Sequence, residues 1–211
     1  MTEWEKAEAG LLYDAKYDPD LDRGRKASQE LSFDYNALRP SQIKEREEMV
    51  RKHFKKTGKK FLIEQPFRCD FWERVSVGEN FYSNYNLTIL DVGKVTCGKN
   101  VQIAPNVSIY TAGHPVHPDS RNSGYEYGIP VTVGDNVWIG GNTVILPGVT
   151  VGSNVVIGAG SVVSKDIPDN TIAAGNPCKV IREITDEDRI YYFKKQKFDD
   201  EAWEEVKNKN K

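Results

Sequence analysis

The sequence predicts an all-β solenoid: a left-handed parallel β-helix of hexapeptide repeats, with a helical N-terminal segment and a short C-terminal helix. Three observations carry this. Aliphatic residues recur with a period of six through the middle of the chain, the two ends are charged and carry helix signals, and one Pro- and Gly-rich stretch breaks the repeat. The period is read most cleanly from Val133, through Ile139, Ile145, Val151 and Ile157 to Val163, where every occupant is β-branched. The residues that follow them, Gly134, Gly140, Leu146, Gly152, Gly158 and Ser164, are mostly small. The same phase runs through Cys97, Ile103 and Ile109, and another through Val77, Ser83 and Ile89, with two extra residues between Ile89 and Cys97.

Six is neither the 3.6 of a helix nor the 2 of a long strand. It suits short strands joined by tight turns, three to a coil of about 18 residues, with successive coils stacked about 4.8 Å apart. The β-branched residue then points inward onto its equivalents in neighbouring coils. Small residues and asparagines such as Asn136 and Asn154 suit corners where the backbone turns left-handed. Val133 to Pro168 is expected to make two full coils. Ordinary hairpins have no reason to hold one register across six consecutive hexads.

Around this middle the chain divides into a helical segment over 1–60, the solenoid over 61–184 and a C-terminal helix with its tail over 185–211. Thr2 and Glu5 have capping-box spacing. Pro40-Ser41 opens a second helix with Ile43, Met49, Val50 and Phe54 as its apolar positions and Gly58 as its stop. Thr185 with Asp188 caps a short C-terminal helix, and the tail after Phe198 is expected to fray. Between Ile109 and Val133 the repeat lapses in TAGHPVHPDSRNSGYEYGIP, which holds three prolines and three glycines. It is expected to project as a loop over 111–131, a natural place for function on a rigid scaffold.

Bulk composition excludes several classes of function. The 211 residues carry 29 basic and 31 acidic side chains, a formal net charge of -2, so no global field recruits nucleic acid. Three dispersed cysteines, Cys69, Cys97 and Cys178, argue against both a disulfide framework and a thiolate zinc site. The start MTEWEKAEAGLLYD lacks the cationic and apolar regions of a signal peptide. No run approaches the ~18 apolar residues of a membrane span. The expected location is the cytoplasm.

The hexapeptide repeats, the stretch IYTAGHPVHPDSRNSGYEYGIPVTVGDNVWIGGNTVILPGVTVG, the preceding NFYSNYNLTILD and the closing AAGNPCKVIREI resemble maltose and galactoside O-acetyltransferases and their nodulation-type relatives. The likeness extends to the helical AEAGLLYDA start and the FRCD segment, and SRNSGYEYG leans toward the maltose branch. It implies a homotrimer with sites between subunits, and direct transfer from acetyl-CoA to a sugar hydroxyl without an acyl-enzyme.

On this resemblance His114 is the general base, and its chemistry agrees. A neutral imidazole suits removal of a hydroxyl proton at cellular pH. His117 is expected only to line the site, and His53 to face solvent. Glu126, or a backbone carbonyl, would hold the imidazole in one tautomer. Asn84 matches the family's acceptor-site asparagine, where an amide binds a substrate hydroxyl or a developing oxyanion. Asp70 is expected to accept hydrogen bonds from the sugar. Asp91 is a further candidate, although galactoside enzymes can carry a second Asp where this chain has Val92. Asp14, beside Tyr13, lies in a segment suited to a sugar contact. Gly141 stands at the family's oxyanion position, and Trp138 is expected to flank the site or the cofactor arm. Ala159 and Ser164 would bond the pantetheine arm of CoA, with Lys165, Lys179 and Arg182 meeting its phosphates.

Three alternatives share this architecture. A γ-type carbonic anhydrase holds zinc with three histidines. The chain has three in all, with His53 far from the others in a helical segment, so no metal is expected. A non-catalytic scaffold has no use for a base beside a thioester-sized groove. A different acyl acceptor, such as an aminoglycan, a xenobiotic or serine, is left open.

Overall fold

A computed structural model describes residues 1–209, and its centre is a parallel β-solenoid of three sheets. The first face stacks Val75–Val77, Val95–Cys97, Val131–Val133 and Thr150–Val151. The second runs from Phe61–Ile63 through Phe81–Ser83, Gln102–Ile103, Trp138–Ile139 and Val156–Ile157 to Thr171–Ala174, and Lys179–Glu183 closes it antiparallel. The third stacks Phe67–Cys69, Leu87–Leu90, Ser108–Tyr110, Val144–Ile145 and Val162–Val163. The hexad residues form the core: Ile139, Ile145, Val151 and Val163 are fully buried, and Val133 and Ile157 nearly so.

Strand pairing gives the length of each coil. Val77 pairs with Cys97, a coil of twenty residues that absorbs the two extra ones after Ile89. Val133 pairs with Val151, eighteen on, but Val151 bridges Ile167, only sixteen on. The second coil expected over Val133–Pro168 is therefore two residues short, because the chain turns early at Lys165–Asp166 with Asp166 accepting from the Thr150 N–H.

Asparagines hold the corners. Asn80, Asn100, Asn136, Asn154 and Asn170 all have φ of 55–58° and link their side-chain amides in one continuous ladder of 2.8–3.0 Å bonds. The amide tolerates the left-handed backbone and also replaces a backbone partner at the turn. Beside this ladder Gly134 allows coils to touch, since a Cβ there would stand 2.8 Å from the Gly152 carbonyl carbon.

Helices close the N-terminal end of the solenoid. α1 (Glu3–Glu8) has the expected Thr2–Glu5 capping box. α2 (Pro19–Ala37) starts on an Asp18 cap with proline in its first turn. Its Tyr35 sits edge-on to Phe67 and Trp72, and the Tyr35 hydroxyl donates to the Ile63 carbonyl at 2.6 Å. α3 (Ile43–His53) ends well short of Gly58, contrary to expectation. Phe54 turns extended to pack on Phe67 and Trp72, and Lys55 then joins the solenoid by donating to the Val75 carbonyl. Gly58 instead permits a close crossing, where a Cβ would stand 2.5 Å from the Glu79 Cα. His53, expected to face solvent, is half-buried against Trp72.

The stretch 111–131 projects, but it is ordered by pairing. Tyr125–Gly128 lies antiparallel between Ala112–Gly113 and the short strand Tyr13–Asp14, and the single-turn helix α4 (Pro118–Asn122) fills the tip. Thr185 and Asp188 cap a 3₁₀ turn over Asp186–Arg189 as expected. The tail does not fray after Phe198: the Asp199 carboxylate accepts from the Ala202 N–H, and α5 (Asp200–Lys209) follows with Trp203 stacked on Phe198. The expected tail residues 210 and 211 lie outside the described residues. No described helix is long and apolar enough to cross a membrane.

Candidate active site

The loop leaves the solenoid at the edge between the third and first faces, where the Thr111 N–H donates to the Leu90 carbonyl. His114 follows three residues later, with its side chain 56% exposed. Pairing of Tyr13 with Glu126 across the short sheet brings the N-terminus to this edge. Glu126 Oε1 stands 3.9 Å from His114 Nε2, too far for a hydrogen bond and near enough to form one after a small rotation. Glu126 Oε2 accepts from the Tyr13 hydroxyl at 2.8 Å. Burial raises the pKa of the Tyr13 phenol, and the neighbouring Glu126 charge raises it further, so Tyr13 stays neutral and donates.

His114 and Glu126 wall a cleft of about 670 Å³ together with Ala15, Lys16, Arg25, Arg121, Asn122 and Gly124. Arg25 is fixed by a bond to the Ala15 carbonyl and Arg121 by one to the Val116 carbonyl. Sequence reasoning missed both arginines, along with the role of Tyr13. Asp70 lies half-buried within the electrostatic reach of Arg25 and Glu126. Burial lifts its carboxyl from 3.8 to about 6, Asp91 and Glu126 add to the rise, and Arg25 opposes it. The cleft wall therefore carries a histidine and a carboxylate, with the Tyr13 phenol bonded behind Glu126 and Asp70 within electrostatic reach of Arg25 and Glu126, a set able to take a proton from a hydroxyl and bind its neighbours.

Several candidates take other positions. Asp14 turns its carboxylate to the Lys16 and Tyr17 N–H groups and forms a local turn, not part of the cleft wall. Tyr13, its neighbour on the opposite side of the strand, is the one that reaches Glu126. His117 does not line the cleft: its Nδ1 accepts from the Asp119 N–H and caps α4. Asp91 is fully buried, and its Oδ1 is taken by the Asp70 and Phe71 N–H groups and the Cys69 thiol, so it offers no surface to a substrate.

The remaining candidates lie on other parts of the solenoid. Asn84, whose Oδ1 accepts from the Tyr85 N–H, sits on the edge between the second and third faces. Gly141 and Ala159 stack above it on successive coils: Asn106 donates to Tyr85, Asn142 to Pro105 and Gly160 to Gly141. Trp138 projects from the second face beside this edge, 55% exposed, between Gln102 and Val156. One face, roughly 15–20 Å of hexad, separates this edge from His114. Ser164 and Lys165 belong to the His114 edge, because Val163 pairs above Ile145, Ile109 and Ile89 in the third face. Lys179 and Arg182 stand on the closing antiparallel strand. Arg182 is already held by two 2.7 Å bonds to Asp188, whose carboxyl this pairing keeps well below the usual range. No group of three or more His, Cys, Asp or Glu among the described residues is placed to hold a metal.

A hexad solenoid bearing a histidine–carboxylate cleft on a projecting loop defines the class, a hexapeptide-repeat transferase, and residues 130–165 match the bacterial transferase hexapeptide (six repeats) family. Residues 6–58 match the maltose acetyltransferase hexapeptide capping motif. The chain is 46% identical to the galactoside O-acetyltransferase of Escherichia coli strain K12 over 193 residues, 92% of this chain and 95% of that one. The crystal structure of a maltose O-acetyltransferase from Clostridium difficile 630 is 50% identical, with a TM-score of 0.86 over 88% of this chain and 99% of that one. A galactoside acetyltransferase in complex with coenzyme A is 45% identical, with a TM-score of 0.90 over 94% and 99%. The chain belongs to the maltose and galactoside O-acetyltransferase family.

Proposed function

We propose that this protein transfers an acetyl group from acetyl-CoA to a hydroxyl of a small sugar such as maltose, glucose or a galactoside, with His114 as the general base. The observation that carries this reading is the arrangement of His114 and Glu126 on the projecting loop with Tyr13 of the N-terminal strand. Tyr13 fixes Glu126, Glu126 orients and steadies the imidazole as it gains charge, and the free imidazole nitrogen takes the hydroxyl proton. The sugar oxygen attacks the thioester carbonyl, the C–S bond breaks, and CoA leaves as the thiol after the imidazolium returns the proton. Asp70 accepts hydrogen bonds from the acceptor.

Asn84, Gly141 and Trp138 stand one face away from His114 in the same chain, so we infer that a neighbouring copy in a homotrimer supplies them. Asn84 then binds acceptor or oxyanion, and the Gly141 N–H, which bonds to nothing among the described residues, is available to donate to the oxyanion. Ala159 and Ser164 line the path of the CoA arm, and Lys165, Lys179 and Arg182 meet its phosphates. The reaction belongs in the cytoplasm on this reading, where acetyl-CoA is made and spent.

The test is thiol release from acetyl-CoA against a sugar panel, comparing wild type with His114→Ala, with sedimentation of both. Turnover with maltose or glucose in the wild type, falling by at least about 10²-fold in a still trimeric variant, is expected. A monomer at micromolar protein would refute the shared site. Binding of acetyl-CoA with no thiol release to any sugar would refute the acceptor, and no binding at all would leave a scaffold.

A further inference from the structure

The turn that carries Asp70 is built around a buried carboxylate. Residues 69–73 cross from the third face to the first in a tight bend: Glu73 donates to the Phe71 carbonyl at 2.7 Å and Val75 to the Trp72 carbonyl at 3.1 Å. Trp72 takes a left-handed φ of 64° while its surface is only 1% exposed, a conformation bulky residues avoid unless their surroundings impose it. A clamp on the residues just before it comes from the next coil. One oxygen of Asp91, Oδ1, accepts from Asp70 N at 3.0 Å, Phe71 N at 2.9 Å and Cys69 Sγ at 3.1 Å.

The other oxygen, Oδ2, is buried without a partner among the described residues. A buried polar atom left unpaired is costly, and the three donors gathered on Oδ1 are what the fold gains in exchange. Of the residues it grips, Phe71 and Cys69 turn into the protein, and Asp70 alone is left half-exposed, within electrostatic reach of Arg25 and Glu126 on the cleft wall. The charged and titratable groups around the pair are Arg74 on the same turn, Arg25 on α2, and Tyr13 and Glu126 on the short sheet.

We propose that Asp91 is a positioning residue for acceptor recognition: it never touches the sugar, and by gripping the Cys69–Phe71 bend it sets that bend's single outward carboxyl, Asp70, against the cleft that holds His114. This rests on the proposed sugar acetyltransfer. It departs from the sequence expectation of a direct Asp91 contact, since the sealed carboxyl cannot reach an acceptor while its Oδ1 holds three donors.

The test compares Asp91→Ala and Asp91→Asn, each alone and with Asp70→Ala, in steady-state kinetics with the best sugar of the panel. Asparagine keeps an oxygen for the three donors, and alanine removes it. Asp91→Ala is expected to raise the acceptor KM about tenfold or more while the acetyl-CoA KM and kcat stay within about threefold. Asp91→Asn is expected to restore the acceptor KM to within about threefold of wild type. In the Asp70→Ala background, Asp91→Ala is expected to add nothing, because its effect passes through Asp70. Should Asp91→Ala fail to fold, Asp91→Ser, whose oxygen is too short to serve all three donors, carries the same comparison. An unchanged acceptor KM in the folded variant, an Asn variant as damaged as the Ala one, or losses that multiply with Asp70→Ala would each overturn the inference. Wild type is read first: no turnover with any sugar sinks the acetyltransfer reading, and the inference with it. Wild-type turnover with an acceptor KM indifferent to position 91 sinks the inference alone.

Discussion

Asp70→Asn should make the protein more stable at pH 8 and leave it unchanged near pH 3. Burial, Asp91 and Glu126 raise the Asp70 carboxyl from 3.8 to about 6 in the fold, against the opposing charge of Arg25. A group whose folded value lies above its unfolded one binds more protons when folded, so stability is greatest below 3.8 and is lost as pH rises through about 6. The difference between the two values corresponds to ~3 kcal/mol at pH 8, and solvent reaching the half-buried carboxyl reduces this to ~1–2 kcal/mol. No hydrogen bond is made by the Asp70 side chain among the described residues, so an amide forfeits none. Urea midpoints at fixed protein concentration, with an unchanged slope, read the difference. A variant no more stable than wild type at pH 8, or equally stabilised at both pH values, would refute the argument. The same substitution should raise the acceptor KM, which is the expected trade between stability and a strained binding site.

Two further predictions address the frame and the cleft. Asn136→Ala removes the bonds to Asn100 and Asn154 and leaves a residue with no polar side chain at a φ of 57°. It should destabilise by ~2–3 kcal/mol, while Asn136→Gly loses the bonds but keeps the backbone and should cost ~1 kcal/mol less. Equal denaturation midpoints for the two variants would show that backbone conformation plays no part. Tyr13→Phe leaves Glu126 Oε2 without its 2.8 Å donor. A loss of about tenfold in kcat/KM with acetyl-CoA affinity retained is expected, and wild-type kinetics would dissociate Tyr13 from the histidine.

The solenoid was legible in the sequence because each coil repeats the same demand. Val133, Ile139, Ile145, Val151, Ile157 and Val163 fill equivalent inward positions, so their chemistry recurs at the spacing of the fold itself. The helices carry no such repetition. α2 buries only Leu21, Ser28, Ser32 and Tyr35, too few apolar residues to announce a stripe, although Asp18-Pro19 is a start signal that could have revealed it. The end of α3 was set by a tertiary demand, the place of Phe54 among Phe67 and Trp72, which overrides a glycine four residues on.

The site was legible where one loop holds it and obscure where distant segments meet. His114 and Glu126 share the projecting stretch, but Tyr13 reaches Glu126 across 113 residues of sequence. In a strand adjacent side chains face opposite ways, so a slip of one position decides whether Asp14 or Tyr13 meets Glu126. Register in turn depends on a pairing that no local pattern encodes. Asp91 was obscure for a related reason: its three donors lie twenty to twenty-two residues back, one coil away.

The geometry of a solenoid also constrains where its chemistry can assemble. Each coil advances the chain by about one strand spacing and returns it to the same three edges, so residues one hexad apart lie on different edges however close they are in sequence. His114, Ser164 and Lys165 share one edge, and Asn84, Gly141 and Ala159 share another. No loop movement within one chain turns a rigid stacked edge toward its neighbour, whereas in the proposed homotrimer a second copy would present the missing edge without any rearrangement. On the proposed reading, a substitution that separates the copies should therefore abolish transfer while leaving the His114–Glu126–Tyr13 cleft of each chain intact.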